Sequence, residues 1–149
     1  MTSSSSNARC PRSAYDQVGG LVYFARMIDK IRLKAKDQLL PDYHENLGKG
    51  FDGRCIRFLG VNYAALCERA AQGGSDEEIL AWCFEKGRKP SEEEVLVWNS
   101  FLRKRGWGDE ADDGVSQELD NYKSRSGLAH RTDIQTFFDY YEVDEGRRP

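Results

Sequence analysis

Apolar side chains recur at helical spacing along most of the chain. Leu21, Phe24, Ile28, Ile31 and Ala35 fall in one stripe, with Val18, Val22 and Ala25 on its flank, and predict a helix from about Ala14 to Leu39 ended by Pro41. Ser13, with Asp16 three residues on, is its candidate cap, and Gly19-Gly20 are glycines within that pattern. A second helical pattern covers Arg54 to Leu59 and stops at Gly60. A third starts at Asn62, holds Ala65, Leu66 and Cys67, and closes at Gly73-Gly74. Then one phrase is written twice: Ser-Asp-Glu-Glu-Ile-Leu-Ala-Trp from Ser75, and Ser-Glu-Glu-Glu-Val-Leu-Val-Trp from Ser91. Each copy pairs a serine with a glutamate three positions later, the capping box that satisfies two free N–H groups of a first helical turn. Gly87 supplies a left-handed stop for the first of these helices, and Pro90 stands just before the cap of the second. The pattern predicts a central antiparallel helical hairpin at 75–106, with Ile79, Leu80, Cys83 and Phe84 facing inward from one helix and Val95, Trp98, Asn99 and Leu102 from the other.

Beyond the hairpin, an acidic turn holds Asp109, Glu110, Asp112 and Asp113. Val115, Leu119 and Tyr122 outline a short helix ended by Gly127. Thr132 with Gln135 reads as another capping box, ahead of Ile134, Phe137, Phe138 and Tyr141 at helical spacing. No alternating β-branched run of strand length occurs, and two copies of a phrase are too few for a solenoid. The expected fold is therefore all-α, a single compact domain of six or seven helices over 11–146. A disordered serine-rich tail at 1–10 precedes it, and a frayed C-terminus at 147–149 follows.

Composition narrows the function classes. The chain has 149 residues, 32% of them charged, and a formal net charge of −3. That balance argues against nucleic-acid binding by the domain as a whole. The start of the chain has no apolar core segment of a secretory signal, and no apolar run is long enough to span a bilayer, so a cytoplasmic location is expected. Cys10, Cys55, Cys67 and Cys83 lack zinc-site spacing and read as reduced thiols, the last three on apolar helix faces. No metal and no cofactor is expected. Asp42, His44 and Glu45 are close in sequence without forming a ligand signature.

One constellation breaks the apolar pattern. Asp29 and Arg32 project onto the flank of the first helix, with Arg26 one turn before Asp29. A carboxylate there needs a partner. It is either an ion pair that locks the helix to its neighbours or an Arg-Asp-Arg group that holds an anionic ligand, with His44 nearby. Gly48-Lys49-Gly50-Phe51-Asp52-Gly53 has the G-x-G-x-x-G spacing but no preceding strand, so it reads as a connecting loop or, through Lys49 and free N–H groups, a phosphate cradle. No nucleophile–base pair or hydrolase elbow is present.

Pro11-Arg12-Ser13, Gly20-Leu21 leading into Ala25-Arg26-Met27-Ile28-Asp29-Lys30, Phe58-Leu59-Gly60, Leu80-Ala81-Trp82, Trp98-Asn99, and Asp133 through Phe138-Asp139 to Asp144-Glu145-Gly146 carry a resemblance. Over Pro11 to Gly146 the chain resembles a bacterial family known as domain of unknown function five thousand and sixty-nine. The serine-rich lead and the 48–53 segment depart from it locally. The resemblance implies a free-standing bacterial cytoplasmic protein and supplies no catalytic residue. Whether the chain is an enzyme stays open at this level. The abundance of aromatics beside no catalytic signature favours a helical module that binds another protein or itself. A small-molecule binder or enzyme acting on an anionic ligand through Arg26, Asp29, Arg32 and His44 is the alternative.

Overall fold

Helix is the dominant structure, as the periodicity predicts. The computed structural model describes residues 7–110 and 114–149. Among them are α1 (Phe24–Ala35), α2 (Gly50–Leu59), α3 (Tyr63–Ala71), α4 (Asp76–Lys86), α5 (Glu92–Lys104), α6 (Val115–Arg125) and α7 (Phe137–Asp144), a 3-10 helix at Pro41–Asn46, and the short strands β1 (Gln17–Val18) and β2 (Leu21–Val22). The described residues up to Val95 form one compact unit and those from Leu96 onward another; α5 begins in the first and continues into the second. No helix among them is long and apolar enough to cross a membrane.

The start of the first unit corrects the sequence reading. There is no helix from Ala14. The chain makes an antiparallel hairpin with Gln17 opposite Val22 and Val18 opposite Leu21. Gly19 and Gly20 have φ of 56° and 82°, the pair of left-handed residues that a two-residue hairpin turn of the right twist requires. A Cβ on Gly19 would stand 2.7 Å from the Leu80 side chain, so the turn also needs glycine to lie against α4. Helix α1 then ends six residues before Pro41, because Asp37 takes a left-handed conformation (φ 58°). The described residues before Pro11 also make a backbone contact. Arg9 bridges to Leu39, its N–H donating to the Gln38 carbonyl at 2.9 Å. Residues 1–6 of the expected tail lie outside the described residues.

The core of this unit joins Phe24, Met27 and Ile28 of α1 with Leu59, Leu66, Ile79 and Cys83. Helix α1 packs on α3 and β1, and α4 packs on α3 and β1. Several of the expected starts and stops are present. Asn62 accepts from the Ala65 N–H at 3.0 Å, Gly60 is left-handed at the end of α2, and both serine capping boxes close. The Ser75 and Ser91 N–H groups hold the carboxyls of Glu78 and Glu94 below their ordinary range. Gly87 serves a different purpose from the one its position suggests. Its φ is −109°, not left-handed, but a Cβ there would meet the Leu59 carbonyl oxygen at 1.9 Å. Beside it, the Arg88 N–H donates to that same oxygen at 2.9 Å, and its guanidinium donates to the Phe58 carbonyl at 2.7 Å.

In the second unit α6 and α7 share an aromatic core. The Tyr122 ring stacks on Tyr140 and meets Phe137 edge-on, both at 5.9 Å between centroids. The predicted box of Thr132 with Gln135 does not form. Helix α7 starts at Phe137, capped by Thr136, whose hydroxyl accepts from the Asp139 N–H at 3.0 Å. Residues before it are tied elsewhere: buried Lys123 donates to the carbonyls of Arg131 (2.6 Å) and Ile134 (3.1 Å), and Arg131 pairs with Asp133. The C-terminal residues also carry ion pairs. Arg148 reaches Asp139 at 3.1 Å and Asp133 at 3.3 Å, and Arg147 reaches Glu142 at 3.0 Å. In the acidic turn Asp109 accepts from the Gly106 N–H at 2.6 Å and pairs with Arg105 at 2.9 Å; Asp112 and Asp113 lie outside the described residues.

Gly87→Ala is expected to destabilise the fold by about 2–4 kcal/mol, since backbone must move to admit the methyl group. Gly146→Ala, at φ 81° with nothing within 4 Å, should cost only the roughly 1–2 kcal/mol of a left-handed alanine. Urea unfolding of the two variants beside the wild type measures the difference.

Candidate functional site

The most concentrated chemistry is inside the first unit, where the hairpin, α1 and α2 meet. Tyr23, Lys30 and Asp52 are all buried there. The Lys30 Nζ stands 2.8 Å from Asp52 Oδ1, the Tyr23 hydroxyl donates to the same oxygen at 2.7 Å, and Nζ donates to the Tyr23 hydroxyl at 3.1 Å. The second carboxylate oxygen of Asp52 accepts from the Gly48 N–H at 3.0 Å. The 48–53 segment therefore does not offer that N–H to a phosphate; its own aspartate holds it. Helix α2 begins at Gly50, four residues earlier than the apolar pattern suggests, and this places Asp52 in its first turn. Tyr23 itself has φ 76°, a left-handed conformation that a bulky side chain adopts at a cost of order 1–3 kcal/mol. Its N–H donates to the Ala14 carbonyl at 2.9 Å, and its ring meets Phe51 edge-on at 5.4 Å.

These three groups satisfy one another. A phenol that donates to a carboxylate and accepts from an ammonium is held in one orientation, with the positive and negative charges paired. The arrangement pins two helices and a turn, and leaves neither partner as a free acid or base.

The Arg26, Asp29, Arg32 group does come together, through a residue that the helical pattern does not reveal. The Arg12 backbone lies across α1. Its N–H donates to Asp29 at 3.0 Å, and its carbonyl accepts from the buried Arg26 guanidinium at 3.0 Å. The Arg12 side chain reaches Asp76 at 2.8 Å and Asp16 at 3.1 Å. Arg32 reaches the other oxygen of Asp76 at 2.5 Å and the Gly74 carbonyl at 2.9 Å. So Asp29 takes a backbone N–H, Arg26 a backbone carbonyl, and Arg32 the first residue of α4. Arg26 also lies over the Tyr43 ring at 5.7 Å. His44 is in the 3-10 helix and bonds the Leu39 carbonyl through Nε2 at 2.9 Å. Where the sequence offered an ion pair for Asp29, the carboxylate meets a backbone N–H, and Arg12 and Asp76 join the group.

The exposed chemistry is on α5. Leu96 is 66% exposed, Val97 59% and Phe101 39%, with Trp107, just past the helix end, at 60%. Arg105 covers one face of the Phe101 ring at 5.0 Å. Trp98 and Leu102 on the opposite side of the helix are buried.

The model of the family described as a domain of unknown function (DUF5069) matches residues 8–147. The chain belongs to that family. No curated protein matches it.

In this DUF5069 chain Cys55 lies near the buried cluster, and Cys83 lies near Cys55. Burial, reinforced by the charge of Asp52, pushes the Cys55 thiol well above its ordinary range, and burial lifts Cys83 to about 12. Cys10 and Cys67 are partly exposed. Asp52, Lys30 and Tyr23 escape a reading of the sequence because their contacts join residues 22 and 29 positions apart. The only hint is an aspartate one turn after a glycine.

Asp52→Ala is expected to cost about 3–5 kcal/mol, because it leaves Lys30 charged and buried; Lys30→Met with Asp52→Leu should cost less than the sum of the two single changes. A double-mutant cycle by urea unfolding measures this coupling. In the folded protein at pH 8, Cys55 and Cys83 should resist iodoacetamide, while urea exposes all four cysteines. Intact-mass spectrometry before and after unfolding counts the labels.

Proposed function

We propose that this chain is a small cytoplasmic bacterial protein-interaction module without catalytic activity. Its contact surface on this reading is the outward side of α5. The observation that carries it is the exposure of Leu96, Val97 and Phe101 on one side of one helix, with Trp107 exposed just past the helix end. Isolated apolar side chains on a surface need no explanation, but several together on one side of a helix mark a contact surface. Aromatic residues also dominate the energetics of such contacts. The buried Lys30–Asp52–Tyr23 cluster and the Arg12 network support the same reading from the other side, since their charged groups are spent on holding elements together.

Leu96→Ser with Phe101→Ser is expected to leave folding intact and to abolish association. Affinity capture with cross-linking from cells of the source organism, wild type against variant, measures it. Equal capture by both proteins, or association by neither, would remove the proposal.

A further inference from the structure

The outward side of α5 has a pattern that specifies its own complement. Glu93, Leu96, Val97, Ser100, Phe101 and Lys104 are all exposed. They recur at steps of three, one, three, one and three, and at 100° per residue they lie within an arc of about 140°. The stripe reads acid, apolar, apolar, small, apolar, base. The first turn of the helix is acidic throughout, with Glu92, Glu93 and Glu94, and the last turn basic, with Arg103 and Lys104.

We infer that the occupant of this surface is a second copy of the same helix, packed antiparallel about a two-fold axis that passes between residues 98 and 99. The inference rests on the interaction reading above and names its partner. In that register Glu93 stands opposite the partner's Lys104, Leu96 opposite the partner's Phe101, and Val97 opposite the partner's Ser100. The symmetry repeats each pair, as an isologous contact must. Val97 and Ser100 flank the axis, where short side chains let two helices approach closely. The larger Leu96 and Phe101 close over them on either side, and the ion pairs sit at the two ends. Antiparallel packing also places each acidic, dipole-positive end beside a basic, dipole-negative end. A parallel pair would set Glu93 against glutamate and Lys104 against lysine, and would expose the apolar side to like-charge repulsion at both ends. Charge therefore selects both the partner and its direction.

A contact made by one helix from each copy lies at the small end of the range for specific interfaces, where association is transient. The full-length chain is therefore measured by sedimentation velocity and native mass spectrometry from roughly micromolar to roughly millimolar concentration at low salt. The wild type is expected to shift toward twice the monomer mass as concentration rises. Glu93→Lys and Lys104→Glu, each alone, place like charges at both ends and should weaken association by about tenfold. The double variant Glu93→Lys/Lys104→Glu restores both pairs and should recover the wild-type constant. An equimolar mixture of the two single variants should form a mixed dimer more tightly than either forms with itself. Both positions are exposed, and unchanged thermal unfolding of each variant confirms that folding is not the cause.

A wild type that stays monomeric across the series overturns the inference. So does a dimer whose single variants bind as the wild type does, or whose mixed single variants gain nothing. If the monomer nevertheless captures another protein through Leu96 and Phe101, the interaction reading stands and only the second copy as occupant falls.

Discussion

A buried ammonium and a buried carboxylate 2.8 Å apart, with a tyrosine hydroxyl bonded to both, set the layout of the first unit. Either charge alone would be prohibitive to bury, so the positions of Lys30 on α1 and Asp52 on α2 depend on each other. Tyr23 couples this pair to the hairpin. Its left-handed backbone turns the chain from β2 into α1, and hydrogen bonds at both ends of the residue hold that conformation. The same aspartate fixes Gly48, so the entry to α2 is determined by the pair as well.

A second layer of charged groups holds different parts of the same unit. Arg12 is the common element. Asp29 and Arg26 grip its two backbone groups, and Asp76 takes its side chain together with that of Arg32. The N-terminal segment, α1 and the start of α4 are thereby fastened by side chains that no single helix displays together. Asp76 is the first residue of α4, directly after the capping serine, where a carboxylate also suits the helix dipole. Two members of the Arg-Asp-Arg group on α1 hold a backbone segment that is distant in sequence.

The outward side of α5 contrasts with both layers. There the groups facing solvent are apolar in the middle and oppositely charged at the ends, and the helix stays in place through Trp98 and Leu102 on its other side. Inside the first unit, polar side chains are used to fix structure. On α5, apolar side chains are left at the surface.

Local signals in the sequence were enough for the helices and most of their ends. Ser75 and Ser91 with their glutamates, Asn62, Gly60 and Gly127 each act through atoms a few residues away, and the structure uses each one as a cap or stop. The family was legible as well, because its motifs are spread through nearly the whole chain. What only tertiary structure decided depends on long-range approach. Gly19-Gly20 made a hairpin turn where helical spacing ran through them, since the turn packs against Leu80. Gly87 was required by the Leu59 carbonyl, not by its own φ. Lys123 drew in the carbonyls before α7, and its cap moved from Thr132 to Thr136. Periodicity records which way a side chain points from its own helix; it does not record which distant backbone or charge will be there to meet it.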